Sequence, residues 1–489
     1  MRRSSLTITA CLLLSVFTVA QTPAATKPRA AGKTSAKKTV SAKAAVDSAV
    51  LQRNIRAHME FLASDALQGR GSGTQFELLA GTYIASQLRQ FGIEPAGDAE
   101  NGTKGYIQKV AVTQTKFTEA PTLLVGTSTS IHGKGMAVVR TRSANFSGKL
   151  QKFKAGDKVQ PGAIVLVNLG EAVNDPPVRN QMMAPLGQGA AAVLIADAGQ
   201  IRQRFAAASK ELPEMPSQVA GQQPASSPGA IILLDAETTK AVEAVADGAN
   251  VEFTGKTAAT VDAHATRNVI GVLPGSDTKL SKDVILLSAH MDHIGVREGP
   301  GDDKIYNGAD DDASGVVAVL ELARKLGAGP RPKRTVYFAL FGSEERGGVG
   351  AQYFLSQPPV PLTDIAANLE FEMIGRGDSA VPADTLWLTG HERTNLGPEL
   401  AKQGAKIVAD PHPKEQFFTR SDNYALARRG VVAQTVSSFG LHKDYHQVSD
   451  DIAHIDFDHM TRSINSIFAP VLWLSNSTFK PEWKPSMKP

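Results

Sequence analysis

Cysteine is almost missing from this chain: Cys11 is the only one among 489 residues. Disulfide staples, cysteine nucleophiles and thiolate metal sites are therefore excluded from the folded part. No G-x-S-x-G stretch occurs, which removes the exposed nucleophile turn of serine hydrolases. A comfortable membrane span is missing too, because the apolar run from Leu6 to Val19 is short and broken by Ser and Thr. A basic folded surface is also lacking. The formal charge is +4, but residues 1–47 hold eight Lys/Arg and one Asp, leaving 44 basic against 47 acidic side chains, about −3. That balance gives no reason to expect a nucleic-acid partner, and the basic character belongs to the tail. Apolar content of 42% and charged content of 20% are ordinary for a globular protein.

What is present begins with an export pattern. Arg2 and Arg3 precede the apolar run, and small residues surround Ala20, so residues 1–20 read as a signal peptide. The expected location is secreted or periplasmic. Lipid anchoring at Cys11 is a minor alternative, since the apolar run continues past it. Residues 21–47, rich in Ala, Lys, Thr and Pro without periodicity, read as a disordered basic linker.

The remaining length suits two domains. From 48 to 119 the pattern opens helically: "IRAHMEFLAS" and "LLAGTYIASQLRQFG" repeat apolar residues at three and four, with Gly92 as a C-cap. The intervening "LQGRGSGT" follows no strand, so it reads as an ordinary loop rather than a phosphate cradle. Between 120 and 258 the texture becomes β-rich, with short buried-strand signals "GAIVLVNLG", "GAAAVLIAD" and "GAIILLD". No cluster of His, Asp and Glu accompanies them. From 259 to 480 strands and helices alternate: "DVILLSA", "SGVVAVLELARKL", "RTVYFALF", "GAQYFLS", "ANLEFEM", "SDNYALARRG", "VVAQTVS". In such α/β sheets chemistry gathers at the carboxyl ends of the strands.

Those ends carry the ionisable residues. His290 and Asp292 close the first strand, Glu344 and Glu345 the second, Glu372 the third, and His446 lies in the loop after the last. Asp310, Asp311 and Asp312 stand in a row before a helix, where mutual repulsion calls for a cation. Taken singly each has a structural reading. A lone His is usually a satisfied structural residue, paired glutamates often begin a solvated helix, and Asp312 or Ser314 could cap one. Five such segments converging on one edge point to a metal site.

In order, "SAHMDHIG", "GADDDASGV", "FGSEERGG", "NLEFEMIGR" and "DYHQVSDD" resemble the motifs of the zinc-dependent exopeptidases, the family of aminopeptidase Y, bacterial leucyl aminopeptidases and glutamate carboxypeptidase II. The resemblance implies a three-layer α/β zinc-exopeptidase fold: a mixed, mostly parallel central sheet with helices on both faces. Residues 120–258 more loosely resemble a protease-associated domain inserted into it. The same resemblance assigns His290 and Glu372 to one Zn²⁺, Glu345 and His446 to a second, and Asp311 as the bridge, with a cis peptide between Asp311 and Asp312. Three carboxylates and two neutral imidazoles would balance two Zn²⁺ and a hydroxide. Glu344 is then the general base acting on the bridging water, and Asp292 is placed to hold the second nitrogen of His290. His293 and Asp310 flank ligand positions as supports or solvent-facing residues, while His442 and Asp450 fall off the ligand positions.

The implied activity is hydrolysis of N-terminal residues from peptides. Alternatives are carboxypeptidase or dipeptidase action, glutaminyl cyclisation, which in this family uses one zinc and fewer ligands, or an inactive binding protein, which would have lost ligands. Some departures from the family are visible. Glu372 stands where many relatives have Asp, and Asn423 where they often have His, which leaves Asp422 a supporting role. "GRGDS" at 375–379 matches an adhesion loop but continues the "MIGR" motif. Phe417 and Phe418 hint at an apolar substrate wall or at core. Residue preference and oligomeric state are not encoded legibly.

Overall fold

The computed structural model describes residues 50–489 except 155, 169, 171–183, 200, 223–226 and 299–300. The signal peptide, Cys11 and the basic linker lie outside the described residues.

Two helices open the described chain. Gln52–Leu62 buries Ile55, His58, Met59 and Leu62, one face at helical spacing. Gln75–Gln90 starts where the Thr74 hydroxyl accepts from the Phe76 N–H. It ends on Gly92, whose φ of +75° lets Ile93 N–H reach back to the Leu88 carbonyl.

The centre of the fold is a ten-stranded sheet. Val284–His290 lies between Val336–Phe341 and Ile365–Phe371, and Ala433–Ser437 follows, all four parallel. Parallel pairing returns at one edge, between Leu386–Leu388 and Ile407–Ala409. The other pairings are antiparallel, so the expected mostly parallel sheet exists only at the centre. The reason is connectivity: the long strands Ile107–Phe117 and Thr257–Leu273 run side by side in opposite senses, which a crossover helix would not permit.

Side chains alternate across the central strands and fill two layers. Ile285, Leu287 and Ala289 face the core shared with Val316, Leu320 and Ile464; Val284 and Leu286 face Phe354, Leu426 and Ala427. Helices therefore cover both faces of a sheet whose central strands are mostly apolar, with buried polar residues such as Asn368, Glu370 and Gln434 among them.

Phe117 lies opposite Thr257 in the register, and the chain between these residues builds a closed barrel of eight strands, from Thr122–Val125 to Asn250–Thr254. Its interior is apolar, with Leu123, Met136, Ile164, Leu194, Ile232 and Phe253 buried together. Gln218–Val219, from within this stretch, adds an edge strand to the main sheet beside Ile107–Phe117. No described helix is long and apolar enough to cross a membrane.

Candidate metal centre

Because the four central strands run the same way, their carboxyl ends deliver side chains to one edge. His290 is the last residue of its strand, Glu344 and Glu345 follow Phe341, and Glu372 follows Phe371. The loop after Ser437 brings His446, whose backbone sits at φ +56° and whose ring stacks on Tyr445.

Asp311 is the meeting point. One carboxyl oxygen lies 3.2 Å from His290 Nε2, and the other lies 3.2 Å from His446 Nε2. His446 Nε2 is also 3.1 Å from Glu345 Oε1. Two donor sets share Asp311: His290, Asp311 and Glu372; and His293, Asp311 and Glu345. Within each set the donor atoms lie within 4.8 Å of one another.

His293 is more than a support. It is fully buried, and its Nδ1 stands 3.0 Å from Glu345 Oε1 and 3.7 Å from Asp311 Oδ2. The solvent-facing alternative for it is thus overturned. Its backbone N–H bonds to the Arg70 carbonyl, so packing of the "LQGRGSGT" loop turns the ring inward, a contact that motif spacing does not announce.

The other two aspartates serve the scaffold. Asp312 accepts from the backbone N–H groups of Gly315, Met373 and His290, tying three segments together. Asp310 is also buried rather than outward-facing: it accepts from Gly375 N–H at 2.7 Å, and its other oxygen meets His442 Nε2 at 2.9 Å. Asp450 accepts from the N–H groups of both Asp310 and Asp311. The Asp311–Asp312 peptide is cis.

Asp292 acts differently from the expectation. Its carboxylate is 3.8 Å from His290 Nδ1, beyond hydrogen-bond reach, and that nitrogen instead faces the Asp292 backbone carbonyl at 3.2 Å. The carboxylate accepts from the Glu344 and Glu345 N–H groups and from the Ser72 hydroxyl, so it fixes the glutamate loop.

Electrostatics follow from burial. Desolvation pushes the Glu344 carboxyl well above its usual range, and the neighbouring charges of Asp422, Glu345 and Glu372 add to this. Burial and the Asp311 charge also push Glu345 up, but the imidazoles of His293 and His446 outweigh them and hold it at about 2.

Supporting residues escaped sequence reading. The buried Arg70 guanidinium donates to the carbonyls of Leu62, Met291, Asn307 and Gly308, locking the histidine loop against the aspartate loop. Glu77 accepts from Ser343 N–H, Gly73 N–H and the Thr266 hydroxyl, bracing the turn before Glu344. Glu370 is fully buried, and neither carboxyl oxygen has a hydrogen-bond partner among the described residues. Its two-residue spacing from Glu372, which sets both on one face of the strand direction, is a signal that could have found it.

Beside Glu372 lies a small pocket of about 40 Å³ lined by Trp387, Phe417, Phe439 and Tyr445. Phe417 stacks on Trp387, whereas Phe418 packs into the core with Tyr424 and Trp483. Charges of the adhesion-like stretch turn inward: Arg376 pairs with Asp444, and Asp378 with His412.

The donor atoms themselves fit a cation. His290 Nε2 faces Asp311 at 3.2 Å, and His293 Nδ1 and His446 Nε2 converge on Glu345 Oε1 at 3.0 and 3.1 Å, none of them as an aligned hydrogen bond. His293 Nε2 is buried with no partner among the described residues, which costs about 1–3 kcal/mol.

Residues 268–470 match the model of peptidase family M28. This match covers less than half of the chain. Similarity to individual proteins is partial. The chain is 29% identical over 254 residues to a "probable lipoprotein aminopeptidase LpqL" of Mycobacterium tuberculosis, covering 45% of this chain and 47% of that protein. It is 28% identical over 226 residues to a "leucine aminopeptidase 1" of Aspergillus oryzae, covering 41% and 55%. The chain thus spans about half the length of these curated relatives. Among solved structures, an aminopeptidase from Aneurinibacillus sp. strain AM-1 superposes with a TM-score of 0.52 at 18% identity, covering 88% of this chain and 95% of that one. That likeness concerns the fold.

Proposed function

We propose that this chain is an exported dizinc aminopeptidase that removes N-terminal residues from peptides. The observation that carries the reading is the pair of donor sets sharing Asp311, whose imidazole nitrogens and carboxylate oxygens converge without aligned hydrogen bonds. Donors of nitrogen and oxygen type without sulfur suit zinc. His290, Asp311 and Glu372 would hold one ion; Asp311, Glu345 and His446 the other, with His293 as a further donor. Bound there, the ions supply Lewis acidity toward the scissile carbonyl and lower the pKa of water.

The chain's own groups supply the rest. Glu344, adjacent to a ligand but not one itself, has its pKa raised by burial and serves as general base, then passes the proton to the leaving amine. Asp292 keeps it in place through the backbone of the glutamate loop. The aromatic pocket beside Glu372 receives the N-terminal side chain. The barrel is read as a protease-associated insert spanning residues 120–258, between catalytic segments 48–119 and 259–480, after a signal peptide and a basic linker.

A panel of aminoacyl p-nitroanilides and N-acetylated counterparts tests the reading. Chelator-sensitive cleavage of the free-amine substrates alone is expected; cleavage restricted to N-blocked peptides contradicts it.

A further inference from the structure

A second and much larger cavity, of about 760 Å³, opens beside the metal centre between the barrel and the catalytic layer. Six arginines line it: Arg140, Arg142, Arg346, Arg420, Arg428 and Arg429. Arg140 closes one barrel strand and Arg142 follows it; Arg346 follows the glutamate pair; the remaining three flank the short helix Asn423–Ala427. Only Arg420 has a carboxylate within ion-pair reach among the described residues, Glu415 at 3.5 Å. The carboxylates of the described wall are Glu344 and Asp422, both belonging to the centre itself.

Uncompensated like charges repel, and burial together with the charge of Arg142 lowers the pKa of Arg140. A groove walled this way concentrates anions. Its position says which part of a substrate enters. The small aromatic pocket touches the centre at Glu372, while the groove touches it at Glu344, the group that hands a proton to the leaving amine. The segment attached to that amine therefore runs into the groove. We propose that the arginine groove binds carboxylates on the C-terminal side of the cleaved bond, making acidic peptides the preferred substrate class and giving the barrel, through Arg140 and Arg142, a direct part in recognition. This inference rests on the aminopeptidase reading above.

The test compares Leu-Ala-Glu-Glu with Leu-Ala-Lys-Lys, using uncharged leucine p-nitroanilide as reference. The wild-type enzyme should favour the acidic peptide by about tenfold or more in kcat/KM, the lower end of electrostatic focusing. Salt near 1 M, where the screening length falls to about 3 Å, should erase the preference. Two charge reversals, Arg140→Glu with Arg142→Glu and Arg428→Glu with Arg429→Glu, should each reduce the acidic-to-basic ratio. They sit on different parts of the fold, so one pair remains informative if the other misfolds, and the salt series needs no variant. Cleavage of leucine p-nitroanilide with equal or reversed peptide preference overturns the groove proposal and leaves the aminopeptidase reading standing. Failure to cleave any of the three overturns both.

Discussion

At the carboxyl edge of the main sheet, His290, Asp311, Glu345 and Glu372 crowd into one cleft, whereas the barrel interior gathers Leu123, Met136, Ile164 and Phe253. Among the described residues the barrel interior is held by apolar packing, and a buried polar side chain such as His132 is hydrogen-bonded, to the Val138 N–H and the Glu211 carbonyl. The sheet edge, by contrast, crowds buried imidazole nitrogens against the carboxylates of Asp311 and Glu345 without aligned hydrogen bonds, and leaves His293 Nε2 with no partner among the described residues. Burying so many ionisable groups together is costly, so the edge is built for something that binds it. In the groove proposal the barrel contributes Arg140 and Arg142, which line the large cavity.

Breaking the edge should therefore abolish chemistry, and breaking the barrel core should abolish stability. Asp311→Asn is expected to have the largest effect. Loss of the shared oxygen pair should reduce bound zinc and lower kcat/KM by at least about 10³-fold, the scale of several kcal/mol. Phe253→Ala should cost about 3–5 kcal/mol in denaturant unfolding while the folded protein keeps its zinc content. Zinc loss on that substitution would erase the contrast between the two regions.

A smaller effect concerns Glu77, whose carboxyl is pushed up to about 8 by burial first and by the Asp292 charge second. A raised folded-state pKa contributes stability that is complete below the unfolded value near 4.5 and lost as pH rises through about 8. The wild-type melting temperature, compared with that of Glu77→Gln, should fall across this window. A flat difference would mean that Glu77 stays ionised throughout. Asp310→Asn should be mildest. It keeps an acceptor for Gly375 N–H and touches no donor of the centre, so kcat/KM should change by no more than about tenfold.

Which parts were legible follows the same physics. Runs such as "VILLSA" and "VYFALF" are strands because residues buried on both faces must be apolar, and their ends located His290 and the glutamate pair. Asp311 was singled out by resemblance, and the structure places it between His290 and His446. Long-range packing hid the rest. The Arg70 carbonyl accepts from the His293 N–H out of a loop that reads as filler, Glu370 sits in a strand that also carries Asn368, and the short strands Leu386–Leu388 and Ile407–Ala409 carry too few residues for a pattern. The strand Ile107–Phe117 was missed because its partner Thr257–Leu273 lies across the whole barrel in sequence.

The most direct test counts zinc per chain in the wild type and in Glu344→Gln while measuring hydrolysis of leucine p-nitroanilide by both. The account predicts two zinc ions per chain in each, with turnover in the variant reduced by about 10²–10⁴-fold. Undiminished turnover in Glu344→Gln, or a wild type active with fewer than two metals per chain, would contradict it.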